Sequence, residues 1–347
     1  MGDWYTTREA LKAATGVVGD GVNDVLDDAI EASSRSVDKD TGTRFIPRVA
    51  TLTFDLAHPP VVGRILHLPA HLLSVSAITD SDGARTLVAG TDYRLMPNTV
   101  GPPYDWVEIL RSSGKAWTAA NPGGISLAGL WAHSSDTKTV GQVNVDPGSS
   151  GTTLELKRGD LAGVGHTLLV GTEQIFISDR DDVDLGVNLS GALAASVTGK
   201  ALVLSGAPAN PVRTGEVLRI GGEAMLVEAV NSTTSFIVAR AHDGTTLATH
   251  ADAVDVFVRR SYTVTRGVNG TTAAAHAISA EAVAYAPPAP IARLTLAIAT
   301  MEFHQAKSGY ARSFSRGETD TEVTGAYLER MRRRTVTSYK RRAMESF

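Results

Sequence analysis

Hydrophobic positions follow a helical period at both ends of the chain and a strand period between them. Val22, Leu26, Ala29, Ile30, Ser33 and Val37 recur every 3.6 residues, with Asp24, Asp27, Asp28, Glu31 and Arg35 on the other faces, until Thr41-Gly42 stops the pattern. A shorter helix precedes it: Thr6-Thr-Arg-Glu9 has capping-box spacing, and Arg8 to Ala14 are good helix formers up to Gly16. Near the other end Pro290 opens a segment with Ile291, Leu294, Ile298, Met301 and Phe303 on one stripe, and Glu322 to Arg334 suggests a last helix. From about residue 48 to 135 the period falls to two. Leu73, Val75 and Ala77, then Tyr93 and Leu95, Val107 and Ile109, and Ile125, Leu127, Gly129 and Trp131 alternate with polar residues, separated by Asp82-Gly83, Gly90 and Gly101-Pro-Pro. This pattern predicts an antiparallel β domain with Trp106, Trp117 and Trp131 in its core.

The next region repeats itself. "RAHDGTTLATH" (Arg240 to His250) and "RGVNGTTAAAH" (Arg266 to His276) share Arg, Gly, Thr, Thr, Ala and His at an offset of 26, and Phe236 matches Tyr262. "GHTLLVGTEQIFIS" (Gly165 to Ser178) and "GEVLRIGGEAMLVE" (Gly215 to Glu228) match at an offset of 50. The order is front, front, back, back. One β module, Gly215 to Val258, therefore sits inside a loop of a sister made from roughly 151 to 180 and 259 to 286. In each copy a strand runs into a two-residue turn, Asp243-Gly244 or Asn269-Gly270, whose centres suit the positive φ of a type I′ turn. A functional alternative makes His250 and His276 ligands or bases and Arg240 and Arg266 anion holders. No acidic or histidine partner stands beside either His at ligand spacing, so Arg240, Gly244, His250, Arg266, Gly270 and His276 read as structural.

Composition removes several classes. The chain has 347 residues, 43% hydrophobic and 20% charged, a net charge of −4 and no cysteine, which suits a folded protein without disulfides or thiol chemistry. No apolar run approaches the roughly 20 residues of a membrane helix, and the first residues lack signal-peptide features, so synthesis and assembly in a cytoplasm are expected. "GDGVND" and "DKDTGT" look like P-type ATPase motifs but stand in the wrong order, with an extra Asp, in a chain without membrane helices. "DRDDVD" (Asp179 to Asp184) lacks EF-hand spacing and reads as a solvated loop. No catalytic residue, metal site or cofactor is indicated, and the chain is not read as an enzyme. The one concentrated charge is at the C-terminus: Arg330, Arg332, Arg333, Arg334, Lys340, Arg341 and Arg342. Such a cluster suits a solvated helix end or a sequence-independent contact with phosphates or carboxylates.

Several of these stretches resemble the head-to-tail adaptor (connector) proteins of tailed phages, in particular siphophages of actinobacteria. They are Tyr5 to Pro47, "LHLPAHLLSVSAITDSDG" (Leu66 to Gly83), "GTDYRLMPNTVGPPYDWVEI" (Gly90 to Ile109), "GGISLAGLWA" (Gly123 to Ala132) and "VTRGVNGTTAAAHA" (Val264 to Ala277). The resemblance implies a virion protein of the neck: a closed ring of about twelve copies docked beneath the portal, extending the DNA channel towards the tail. It implies contact with the portal, the next neck or tail ring, passing genomic DNA without sequence preference, and the capsid. It also implies that the basic C-terminal residues meet the portal or the channel DNA. Combined with the periodicities, the expected fold is α+β. Residues 1–47 and 290–347 would form a helical core, with 48–140 as an inserted antiparallel β domain and 141–289 as an insertion of two nested β modules. Two rivals are a virion glycan- or peptidoglycan-cleaving enzyme, which needs paired carboxylates not seen here, and a tail-associated receptor- or glycan-binding β protein, which the β repeats suit.

Overall fold

A computed structural model describes residues 3–56, 61–307 and 322–340 of the chain. Its helices are α1 (Arg8–Thr15), α2 (Asn23–Thr41), α3 (Ala289–Lys307) and α4 (Glu322–Tyr339). The first sheet holds β1 (Arg48–Phe54), β2 (Val61–Val62), β3 (Ile65–Asp80), β4 (Arg85–Thr86), β5 (Tyr93–Met96), β6 (Tyr104–Ile109) and β7 (Ile125–Trp131), in the order β1-β7-β3-β6-β5 with β2 and β4 paired to β3. A second sheet of ten strands follows: β8 (Thr137–Val145), β9 (Thr153–Leu156), β10 (Thr167–Val170), β11 (Glu173–Asn188), β12 (Ala201–Val203), β13 (Val217–Ile220), β14 (Glu223–Val230), β15 (Ser235–Ala239), β16 (Asp255–Thr265) and β17 (Glu281–Tyr285).

The expectation of an α+β fold built on a terminal helical core is corrected. Among the described residues two large antiparallel sheets carry the fold, and the four α-helices are the minority. The physical reason lies in what the helices bury. Leu11, Leu26, Ala29 and Ile30 of α1 and α2, with Ala299 and Phe303 of α3, join one core with strand residues such as Leu168, Ile177 and Tyr262. Val37, Ile291, Leu294 and Ile298 likewise pack with Leu169 and Tyr285 of β10 and β17. The stripes thus cover a β surface as a single helical layer, because a stripe one face wide is satisfied equally by a sheet.

Pairing around the second sheet closes on itself. β11, β10, β17, β8, β9 and β16 pair in turn, and β16 returns to β11, making a six-stranded barrel filled by Val140, Val143, Leu154, Leu156, Leu168, Val170, Ile175 and Val264. The far halves of β11 and β16 continue into a second ring with β13, β14, β15 and β12, closed by the Leu189–Leu204 bridge. Its separate core holds Leu202, Leu218, Met225, Phe236, Val238 and Val256. The two barrels share β11 and β16, and the strands of the second are threaded between those two in sequence.

Local differences from the periodicity have identifiable causes. The α1 cap is Thr7, whose side chain accepts from the Ala10 amide, while Glu9 turns outward to accept from the Val164 amide at 3.0 Å. In β3, bulges shift the alternation, so Leu72 and Ile78 are buried and Ala77 is exposed. Trp117 and Trp131 are core residues, their indole N–H groups donating to the Arg64 and Ala50 carbonyls, but Trp106 is only half-buried and lies against His67. Met301 is 37% exposed, and Thr295 and Ala299 take its place on the buried face of α3.

Candidate functional site

The repeated motif resolves into two copies of one buried knot. Glu223, at the start of β14, receives Nε and Nη2 of Arg240 at 2.7 and 2.8 Å and lies 2.8 Å from His250 Nε2. The Ala241 and Ala248 amides also donate to it, at 2.9 and 3.1 Å, and Arg240 spends its other N–H groups on the carbonyls of Ala194 and Ala248. Glu173, at the start of β11, is held in the same way by Arg266 at 2.7 and 2.7 Å, His276 at 2.7 Å, and the Gly267 and Ala274 amides at 3.0 Å each. Burial pushes both carboxyls up, but the Arg, His and amide donors outweigh it and hold each at about 2.

These contacts explain why Arg, Thr and His recur together. Asp243 and Gly244 have φ of 53° and 74°, Asn269 and Gly270 of 55° and 79°, and each turn is closed by an N–H of the following Thr donating to the carbonyl of His242 or Val268. The same Thr245 and Thr271 hydroxyls donate to those carbonyls at 2.8 Å and accept from the amides of Ala224 and Gln174, so each turn is tied beside its glutamate. The tips then dock the N-terminal segment: Asp243 accepts from the Gly19 amide at 3.0 Å, and Asn269 donates to Asp3 at 2.8 Å.

Glu173 and Glu223 occupy matching places in the 50-residue repeat, but Glu173 and His276 are 103 residues apart, and no spacing rule joins them. A third buried pair has no signal in the repeated motif: Arg260 meets Glu216 at 2.7 Å, and Glu216 fixes the second barrel to the first through the Gly159 amide. The outer copy has His166 and Ala286 at those two positions. Burial first, and then the charge of Lys138, lowers His166 to about 3. The acidic stretch Asp179 to Asp184, expected as a solvated loop, lies inside β11. There Asp179 pairs with the buried Arg8 at 2.8 Å, and Asp182 with Arg219 and Arg259 at 3.0 and 3.2 Å. Arg8 also holds Asp27, joining α1, α2 and the barrel.

The basic C-terminal cluster is divided by α4. Leu328, Met331 and Tyr339 pack on the helical layer, Thr335 is buried, and the Tyr339 ring meets those of Phe45 and His133 at 5.7 and 5.3 Å. Arg332 lies beside that stripe and donates to Asp40 of α2 at 2.7 Å, a bond that raises its pKa further above the ordinary arginine value. It is therefore a mooring residue. Arg330, Arg333 and Arg334, spaced i, i+3 and i+4, are exposed on the opposite face, as is Lys340 just beyond the helix. Arg341 and Arg342 lie outside the described residues. Among the described residues no group of three or more His, Asp or Glu is placed to hold a metal ion, and no helix is long and apolar enough to cross a membrane. Comparison of the chain with protein-family models, curated proteins and solved structures finds no match.

Proposed function

We propose that this chain is the head-to-tail adaptor subunit of a tailed-phage virion, acting as a ring beneath the portal that extends the DNA channel. The observation that carries the reading is the exposed basic face of α4. Arg330, Arg333, Arg334 and Lys340 stand on a helix whose other face is anchored by Arg332, Met331 and Tyr339. Exposed arginines on an anchored helix, on a surface without base-reading chemistry, suit carboxylates of a portal or phosphates of passing DNA, contacts that position without reading sequence. The resemblance of Tyr5 to Pro47 and of the later stretches to phage adaptors supports the same role. In it, the fused barrels are outward decoration able to meet the capsid or the next neck ring. Cyclic closure requires one patch of a subunit to match a different patch of its neighbour.

The test is mass by light scattering, alone and with the cognate portal, followed by negative-stain imaging. A ring of about twelve subunits docked coaxially on the portal is the expected outcome. A monomer or trimer that ignores the portal overturns the reading. A second reading, a tail-associated glycan- or receptor-binding protein, draws on the two fused barrels. It is favoured if the protein is trimeric and the barrels bind glycans.

A further inference from the structure

A cavity of about 540 Å³ lies where the N-terminal segment meets one end of the first barrel. Lys138 of β8, His166 just before β10 and Tyr285 of β17 line it from adjoining strand ends, and Trp4 forms a wall. Lys138 and Leu168 both register with Ala284, and Leu168 and Ala284 belong to the barrel core, so Lys138 stands on the inner face at the barrel's mouth. The period of two places His166, two positions before Leu168, on that face as well. Barrel mouths are places where small ligands bind.

Several groups around this cavity have bonding capacity that the described residues leave unused. The Gly163 amide donates to His166 Nδ1 at 3.1 Å, so the ring proton is on Nε2, which has no acceptor among them. Burial keeps that ring neutral, which makes it a donor and not a second cation. Trp4, 8% exposed, adds a buried indole N–H that also lacks an acceptor. Lys138 is exposed and has no ion-pair partner among the described residues. The other charges are engaged: Glu9 meets Arg180 at 3.2 Å, Asp160 meets Arg158 at 2.7 Å, and Arg259 meets Asp182 at 3.2 Å. One uncompensated ammonium beside a neutral N–H donor suits a single negative charge, and Trp4, Tyr285, Pro287 and Ala292 supply apolar wall. We propose that this cavity binds a small organic acid with one carboxylate and an apolar body, the carboxylate accepting from Lys138 Nζ and His166 Nε2 and the body lying against Trp4, Tyr285 and Pro287.

None of the lining residues belongs to α4, so the site is independent of the adaptor reading. The full chain is titrated with phenylbutyrate by calorimetry. Binding of one equivalent per chain is expected, weakened about tenfold by Lys138→Glu and unaltered by Arg333→Glu on α4. Lys138 is exposed, so its replacement leaves the fold intact. Phenylbutyramide, which has the same shape without the charge, should bind about tenfold more weakly. A second readout needs no variant: the Nε2–H resonance of His166 should move as the acid is added. No saturable binding up to about 10 mM overturns the proposal. So does binding that Lys138→Glu leaves unchanged, or a His166 resonance that stays in place, since either puts the acid elsewhere. Equal affinity for the amide overturns the carboxylate as the group recognised.

Discussion

Glu223 is a carboxylate with no exposed side-chain surface, and its ionised form persists there because five donors converge on two oxygens. Removing the charge leaves Arg240 buried without a counter-ion, so Glu223→Gln should destabilise the second barrel by about 3–5 kcal/mol in denaturant unfolding. Both knot glutamates are held at about 2, below their ordinary value of 4.5. A carboxylate depressed on folding stabilises the protein above its unfolded value and loses that contribution as pH falls from about 4.5 to about 2. The double change Glu173→Gln with Glu223→Gln should therefore lower Tm at neutral pH and flatten its acid decline across that window, measured by thermal melts against pH. The participants Arg240, His250, Arg266 and His276 were legible as a repeat. Their pairing with Glu223 and Glu173 was not, because spacing along the chain carries no information about which strands a barrel will bring together.

The turns and helices obey local rules more faithfully. Gly16 and Gly42 end α1 and α2 in the left-handed region, as the breaks in periodicity imply. Gly270 carries two demands at once: a φ of 79° and a Cβ position 2.1 Å from the Val49 carbonyl oxygen of β1. Gly171 has a φ of 60° and open space around it. Gly171→Ala should cost about 1–2 kcal/mol through backbone conformation alone. Gly270→Ala should cost more and raise hydrogen exchange in β1, because the turn must leave the sheet it touches. β3 is the counter-example to local legibility. Its alternation is broken by bulges that depend on β6 and β7, so Ala77 reads as inward and lies outward.

For the whole molecule, charge placement separates two roles that the run Arg330 to Arg334 joins. Arg333→Glu and Arg334→Glu should each change the unfolding free energy by no more than about 0.5 kcal/mol, since both are exposed. If the adaptor reading holds, the same pair should abolish portal association or make it far weaker, an effect that raised salt imitates. Arg332→Met should instead loosen α4, by about 0.2–1 kcal/mol for a half-exposed pair, visible as faster exchange in that helix. The sequence suggests this helix only as far as Arg334, whereas its packed stripe Leu328, Met331, Thr335 and Tyr339 runs to the end of α4. That Asp40 would stand opposite Arg332 was not legible there.

By itself, the sequence determined what neighbouring residues dictate to one another. It specified the stripe of α2 and, apart from Met301, the apolar positions of the α3 stripe, the glycine stops, the positive-φ turns at Asp243-Gly244 and Asn269-Gly270, and the duplicated order of the repeated segments. Only the tertiary structure decided that the helices would cover a barrel instead of forming a core of their own. It also decided that β11 and β16 would serve two barrels, and that Glu173, Glu216 and Glu223 would each find an arginine. These outcomes depend on contacts between residues tens to hundreds of positions apart. Their free energy comes from burial and charge pairing across strands, and neither is written in any local period.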